Sequence, residues 1–347
     1  MKKILDPRLR GDETSGPFKG FFIRLKCYGK GKSMQILLPQ PRGFCAGVRM
    51  ALECLQRALE RFGKPIYVYH EIVHNRWVVE HFRSQGAVFV DDLSLVPPGA
   101  YVLWSAHGVS PAVRAEAAVR RLKVLDATCP LVMKVHHEAV QFAQQGYQIL
   151  LIGHAGHDEI VGVMGESPEA IRLIQSVEEV DRLDLPPEAK VAYLTQTTLS
   201  KDEVAKVVAR LQERFPQIVG PSRDDVCYAT QNRQEAVQQL ASEVQMALVV
   251  GSPNSSNSRR LVEIAQFQGV PAYLIDGPED LRPEWFRGDE TVLLTAGASA
   301  PEHLVTECIH WLQKHFQATL QERILRQEHV HFPLPPPLRT PKSPKEA

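Results

Sequence analysis

The sequence predicts an α/β protein made of three pseudo-symmetric α/β units with mostly parallel sheets around a shared centre. Three observations lead to this fold class. Helical and strand patterns alternate from Met34 onward, the strands are short and continuously apolar, and a Cys followed by a helical pattern occurs three times. Continuous apolar strands that alternate with helices are typical of parallel sheets covered on both faces.

The regular pattern of the first unit is expected to start at Met34 with the apolar run MQILLP, and its helix follows Cys45. Apolar residues recur there at helical spacing, and the strand pattern IYVYH (66–70) follows. The polar loop HEIVHN (70–75) comes next, and a further helix leads into a second strand pattern at 100–108.

The second and third units repeat this order after Cys129 and Cys227. Their helical patterns lead into strands at 148–153 and 247–251, followed by the polar loops HAGH (154–157) and SPNSSN (252–257). A further strand pattern closes each of these units, at 191–200 and 291–299. We therefore expect unit boundaries of 34–128, 129–225 and 226–313.

The two ends of the chain have a different character. Residues 1–33 carry nine Lys/Arg against three Asp/Glu without an amphipathic period, which indicates a disordered extension or a start assigned too early. Residues 314–347 include the Pro-rich stretch HFPLPPPLRTPKSPKEA, for which we expect an extended tail without a packed core.

Composition narrows the class of protein. The chain has 347 residues, 44% hydrophobic and 23% charged, with a formal net charge of zero. This balance gives no reason to expect nucleic acid or an anionic membrane as a partner. Apolar runs such as 246–250 are too short to cross a bilayer, and no secretory signal is evident. Six cysteines are too few for a disulfide scaffold, so a cytoplasmic protein with catalytic or metal-binding cysteines is expected.

The three repeated cysteines are the candidate metal ligands. The helix macrodipole favours a thiolate at a helix N-terminus, so we expect lowered pKa values at Cys45, Cys129 and Cys227. No C-x-x-C motif is present, and three thiolates from separate units fit a metal cluster with an open coordination position. The alternative is that they are buried thiols; Cys54 and Cys308 are interpreted as core residues, and Cys27 belongs to the extension.

Polar residues cluster where the predicted strands end. Because ligands of parallel sheets gather beyond the carboxyl ends of the strands, these residues should surround one cleft. They are His74, His107, His154, His157, Thr197, Thr198, Ser255, Ser256, Asn257 and Ser299. Residues 255–257 precede a helical pattern and could hold a phosphate at its N-terminus, although ordinary helix capping explains them singly. Glu159 is a candidate proton donor, with Asp158 as a competing candidate.

At these residues the sequence resembles the 4-hydroxy-3-methylbut-2-enyl diphosphate reductase (LytB) family. Nine ordered motifs carry the resemblance, which runs from Met34 to about residue 313. They are PRGFCAGV (41–48), HEIVHNRWVV (70–79), SAHGVS (105–110), DATCPLV (126–132), GHAGHDE (153–159), TQTTLS (195–200), VCYATQNRQEAV (226–237), GSPNSSNS (251–258) and TAGASAP (295–301).

The resemblance implies a 4Fe-4S cluster held by Cys45, Cys129 and Cys227, with one iron open to the allylic hydroxyl of the substrate. It implies reductive removal of that hydroxyl, which yields isopentenyl and dimethylallyl diphosphate as the last step of the non-mevalonate isoprenoid pathway. It also implies that Glu159 delivers protons with His157 and Thr197. The family's motif allows Pro where this chain has Asp158, which indicates that Asp158 is not essential.

By the same resemblance, the diphosphate is bound by the polar residues of the strand ends. These are His74, His107, Ser255, Asn257 and Ser299, with Ser256 and Thr198 nearby. The expected electron donor is a ferredoxin or flavodoxin with its NADPH-dependent reductase. Two alternatives stay open: an iron–sulfur hydro-lyase, which the shortage of Arg in the loops disfavours, and a non-enzymatic protein that binds a phosphate ligand.

Overall fold

The described part of the chain, residues 33–339 of a computed structural model, contains twelve strands in three sheets, each strand parallel to its neighbours. Residues 1–32 of the predicted extension, which include Cys27, and residues 340–347 lie outside this part. The strands are β1 Gln35–Gln40, β2 Ile66–Tyr69, β3 Ala87–Val90, β4 Tyr101–Trp104, β5 Lys123–Asp126, β6 Gln148–Ile152, β7 Ile171–Ile174, β8 Val191–Thr195, β9 Met246–Val250, β10 Ala272–Ile275, β11 Thr291–Ala296 and β12 Thr319–Ile324.

Ten α-helices cover these sheets within residues 33–339. They are α1 Ala46–Phe62, α2 Arg76–Gln85, α3 Pro111–Val119, α4 Pro130–Gln144, α5 Asp158–Met164, α6 Val177–Asp181, α7 Lys201–Arg214, α8 Tyr228–Leu240, α9 Ser256–Phe267 and α10 Glu302–Phe316. None of these described helices has the length and apolar character needed to cross a membrane.

The three sheets share one strand order. In each, the strand that follows the Cys-led helix lies in the middle, flanked by the next two strands along the chain: β3-β2-β4, β7-β6-β8 and β10-β9-β11. Every ladder within these triplets is parallel. The predicted fold class of three pseudo-symmetric, mostly parallel α/β units is confirmed.

Strand β1 extends the sheet of the third unit, although the predicted boundary assigned it to the first. It lies between β11 and β12 and pairs in parallel with both. The side chains of Ile36, Leu37 and Leu38 are at most 1% exposed and point alternately into two core clusters. Such a strand needs apolar cover on both faces, and the third sheet offers it.

The expectation of an unpacked C-terminal tail is wrong for the described residues. Strand β12 pairs with β1 along six residues. Farther on, Leu338 is 2% exposed and packs with Phe332 and Leu334 against the core of the first unit. Proline prevents a strand ladder here, but it leaves the neighbouring apolar side chains free to bury their surface.

Candidate active site

All thirteen residues predicted for the site line one cavity between the three units. They are Cys45, His74, His107, Cys129, His157, Glu159, Thr197, Thr198, Cys227, Ser255, Ser256, Asn257 and Ser299. His154, also noted at a strand end, is not part of this lining; its backbone amide donates to Gln196. No Lys or Arg lines the cavity among the residues of the described range.

Each of the three cysteines caps the N-terminus of a helix. Cys45 precedes α1, and its sulfur accepts from the backbone amide of Val48 at 3.4 Å. Cys227 precedes α8, and its sulfur lies 3.4 Å from the amide and 3.1 Å from the hydroxyl of Thr230. Cys129 caps α4 without a side-chain cap bond. The helix starts therefore aim three sulfurs into the cavity.

The expectation of lowered thiol pKa values is wrong for two of these cysteines. Burial, followed by the charge of neighbouring Cys45, raises the pKa of Cys129 to about 12 and that of Cys227 to about 11. Desolvation disfavours the thiolate more strongly than the helix N-terminus favours it. A bound cation is the partner that would make these thiolates stable.

Gly47 leaves room beside the sulfurs. A Cβ atom at this position would lie 2.6 Å from Sγ of Cys129 and 3.9 Å from Sγ of Cys45. Real Cβ atoms essentially never approach another heavy atom within 3.0 Å, so a side chain here would displace Cys129. Three sulfurs lie in one cavity lining, and the missing side chain of Gly47 leaves space beside them. Both features fit a metal–sulfur group.

Glu159 is the buried acid of the site. It is 1% exposed in the first turn of α5 and accepts two hydrogen bonds from Thr197, at 2.7 Å from the amide and 2.8 Å from the hydroxyl. Burial raises the pKa of Glu159 to about 7, although the bonds from Thr197 lower it. A carboxyl group with this pKa is suited to donate a proton near neutral pH.

His157 caps helix α5 directly before this acid. Its Nδ1 accepts from the backbone amide of Glu159 at 3.2 Å. Burial, and then the charge of His74, lowers the pKa of His157 to about 4. Because the cap fixes Nδ1 as an acceptor, the other ring nitrogen carries the proton of the neutral ring.

His74 and His107 lie face to face in the cavity lining. Their ring centroids are 4.1 Å apart with an interplanar angle of 15°, and His157 meets both rings edge-on. Burial, with the charges of His74, His157 and His70, holds the pKa of His107 well below its usual value. The charge of His107 therefore depends on its surroundings.

Hydroxyl and amide groups from the second and third units complete the lining. Ser255 caps α9, and Thr198 donates to Ser256 at 3.0 Å across the two units. Asn257 accepts from the amide of Ala298 at 2.9 Å, and Ser299 donates to the carbonyl of His74 at 2.9 Å. These bonds place neutral donors from separate units around one space.

His70 and Glu71 are site neighbours that the sequence analysis did not single out. Asp158 accepts from Nδ1 of His70 at 2.7 Å, and Glu71 lies 3.3 Å from Nδ1 of His74. Asn254 donates to Glu71 at 2.8 Å. The dipeptide HE at 70–71 could have indicated both residues, because these two ionisable side chains stand at a strand end close to the candidate His74.

Comparison with known proteins gives consistent findings. A sequence model of the family described as "LytB protein" matches residues 36–313. A relative from Rhodopirellula baltica, named 4-hydroxy-3-methylbut-2-enyl diphosphate reductase, is 56% identical over 306 residues, which are 88% of this chain and 96% of that protein. A relative of the same name from Azotobacter vinelandii is 54% identical over 314 residues, 89% of this chain and 100% of the relative.

Two solved structures are also similar to this chain, and both are of diphosphate reductases with corresponding names. The structure of the E-1-hydroxy-2-methyl-but-2-enyl-4-diphosphate reductase from Plasmodium falciparum matches with a TM-score of 0.85 at 37% identity, covering 89% of this chain and 97% of that one. A structure of (E)-4-hydroxy-3-methyl-but-2-enyl diphosphate reductase, described as the terminal enzyme of the non-mevalonate pathway, matches with a TM-score of 0.59 at 29% identity. It covers 81% of this chain and 99% of the matched chain.

Proposed function

The chain belongs to the LytB protein family, and from this membership we infer that it is a 4-hydroxy-3-methylbut-2-enyl diphosphate reductase. The reaction consumes two electrons and two protons. The allylic C–O bond breaks, the oxygen leaves as water, and a new C–H bond gives isopentenyl or dimethylallyl diphosphate. The observation that carries this proposal for the chain's own residues is the convergence of thirteen predicted site residues on one cavity.

We propose that Cys45, Cys129 and Cys227 hold a 4Fe-4S cluster. When bound, such a cluster supplies single electrons and one iron position open to a substrate oxygen. Three sulfurs from three helix starts and the space beside Gly47 support this assignment.

The substrate's diphosphate is proposed to bind among the hydroxyl, amide and imidazole groups of the cavity lining. Neutral donors from Ser255, Ser256, Asn257, Ser299 and Thr198 surround the cavity there. The imidazoles of His74 and His107 are the groups that supply positive charge, because the described lining contains no Lys or Arg. Binding the diphosphate in this way places the other end of the substrate among the sulfurs and Glu159.

Glu159 is the proposed proton donor. Its carboxyl group is largely desolvated and has a pKa of about 7, so a substantial fraction carries the proton at neutral pH. Thr197 holds both carboxyl oxygens, and His157 caps the same helix turn. Thr197 and His157 thus fix the position of the buried acid in the cavity lining. A ferredoxin or flavodoxin is the proposed electron donor.

Anaerobic purification followed by a turnover assay tests the function. We expect four iron and four sulfide per chain, in line with a 4Fe-4S cluster, and consumption of the allylic diphosphate only when a one-electron reductant is present. Consumption without a reductant would identify a hydro-lyase instead. A protein without iron that still binds diphosphate would support a binding protein and contradict the reductase assignment.

A further inference from the structure

One carboxylate lies against three imidazoles at the edge of the cavity. Oδ1 of Asp158 is 2.7 Å from Nδ1 of His70. Its second oxygen, Oδ2, is 3.7 Å from Nδ1 of His107 and 3.9 Å from Nε2 of His74. The imidazoles come from loops of the first unit, whereas Asp158 opens helix α5 of the second. This arrangement is not used by the proton delivery described above.

A shared metal ion does not explain the cluster. The rings of His74 and His107 are stacked with centroids 4.1 Å apart and planes within 15° of parallel. Metal-binding lone pairs of imidazole lie in the ring plane, and Zn–N distances are about 2.0–2.1 Å. One ion cannot lie in both ring planes at that distance. The cluster is therefore better explained by charge than by coordination.

The cavity lining has no Lys or Arg to balance the charge of a bound diphosphate, and Asp158 can favour a positive charge on His107. A diphosphate ester carries several negative charges, yet the lining of the described cavity offers only imidazoles as groups that can become cationic. Burial and mutual repulsion oppose the protonation of His107. An opposite charge within about 4–6 Å favours the protonated form of an imidazole. Asp158 supplies that charge at 3.7 Å.

The surroundings of Asp158 favour its ionised form, which is the form that can stabilise a protonated imidazole. Although burial opposes its ionisation, the hydrogen bond from His70 and that residue's charge lower the pKa of Asp158. The bond to Asp158 in turn raises the pKa of His70. Asp158 is not part of the cavity lining, and its side chain is 19% exposed.

Resting on the proposed function, we propose that Asp158 is a positioning residue of the diphosphate pocket, whose carboxylate stabilises the protonated form of His107 when an anion binds.

Other titratable groups face or adjoin these rings from several elements. They are His70, Glu71 and His74 from the loop after β2, His136 from α4 behind Gly108, and His157 and Glu159 from the start of α5. Glu71 contacts His74, which leaves Asp158 as the carboxylate nearest to His107 among the described contacts.

The consequence is proton uptake on binding. His107 is neutral in the free protein near neutral pH and becomes protonated when a phosphate oxygen arrives. Anion affinity should therefore be highest below the pKa of His107 in the free protein, fall as the pH rises from there, and level off above the pKa that His107 has in the complex. Without the Asp158 charge the pKa of His107 in the complex is lower, so affinity within this interval is lower and the fall ends at a lower pH.

Calorimetry on the cluster-containing protein with inorganic diphosphate tests the proposal. Titrations at about pH 7.5 in two buffers of different ionisation enthalpy report the protons taken up. We expect the wild-type chain to take up close to one proton per diphosphate at His107. Asp158→Asn should bind about tenfold more weakly, with clearly reduced uptake, and should approach wild-type affinity as the pH is lowered.

Two further variants separate charge from structure. Asp158→Glu keeps the charge and should keep the proton uptake, whereas loss of uptake in both variants would identify a structural role and overturn the proposal. Asp91→Asn removes an exposed charge on the His70 side and should change neither quantity. Tighter diphosphate binding by Asp158→Asn, or unchanged affinity and uptake, would overturn the role of Asp158 alone. A wild-type protein that does not bind diphosphate would overturn the proposed pocket as well.

Discussion

Thr197 donates two hydrogen bonds to the buried carboxyl group of Glu159, one from its backbone amide and one from its hydroxyl, at 2.7 and 2.8 Å. Thr197 lies in the loop after strand β8 and Glu159 in the first turn of α5, so the pair joins this loop to the helix start. Both bonds favour the ionised carboxylate, while burial favours the protonated acid. Burial outweighs them, and the acid keeps its proton up to about pH 7.

Replacing Glu159 with Gln should remove the proton donor while preserving the cavity. We expect turnover to fall by about 100-fold or more, because an amide has no proton to deliver. Iron content and diphosphate binding should stay near wild type. Steady-state assays with a chemical reductant measure the loss, and Glu169→Gln, at an exposed position of the same unit, is the control. Wild-type turnover in Glu159→Gln would exclude this role.

The pH dependence of turnover should report the same acid. Because protonated Glu159 is the donor, kcat should decline as the pH rises through about 7. Thr197→Ala removes a bond that stabilises the carboxylate, so the pKa of Glu159 should rise and the decline should move about one pH unit higher. Thr197→Ser keeps the hydroxyl and should keep the wild-type profile. A shift to lower pH in Thr197→Ala would contradict this account.

Each of the three cavity cysteines should be required for iron binding. Serine at Cys45, Cys129 or Cys227 replaces a soft sulfur ligand, so we expect most iron and sulfide to be lost. Chemical analysis of anaerobically purified protein measures both. Cys308 is fully buried in a separate apolar cluster, and Cys308→Ala should retain the iron. A serine variant with full iron content and normal turnover would refute the ligand assignment.

Gly47→Ala should impair iron binding although no ligand is changed. Its Cβ would lie 2.6 Å from Sγ and 3.3 Å from Cβ of Cys129, so this cysteine must move. We expect iron content reduced by half or more, with helix content retained in circular dichroism. Gly277→Ala is the matched control, because its Cβ would meet only the flexible carboxyl end of Glu279. Normal iron loading of Gly47→Ala would show that the sulfur site tolerates the displacement.

The C-terminal segment should stabilise the loop that carries Cys45. Arg233 is 1% exposed, pairs with Glu328 at 3.1 Å and donates twice to the carbonyl of Gly43. Glu328→Gln leaves this guanidinium without its counter-charge, and we expect about 3 kcal/mol lower unfolding free energy. Denaturant titration measures it. Glu322→Gln, at an exposed position of β12, should be neutral, and an equal effect in both variants would dismiss the ion pair.

Some features of the fold were hidden from sequence reasoning for physical reasons. The four-residue strands β3, β5, β7 and β10 were not predicted separately, because they are short and partly exposed at or near sheet edges. Strand β1 was assigned to the wrong sheet, because an apolar strand carries no information about which neighbour it pairs with. The packing of Leu338 was missed, because proline-rich composition describes the backbone and not the surface against which a side chain is buried.

Local order along the chain was enough to predict the class of fold, the three cysteines at helix starts and the polar residues at strand ends. These features depend on short-range periodicity and on the shared direction of parallel strands, which a sequence displays directly. Only the tertiary structure decided which groups are desolvated and which charges meet. The pKa values of Cys129 and Glu159, and the contact between Asp158 and His70, arise from residues far apart in the chain, because burial and charge act through space.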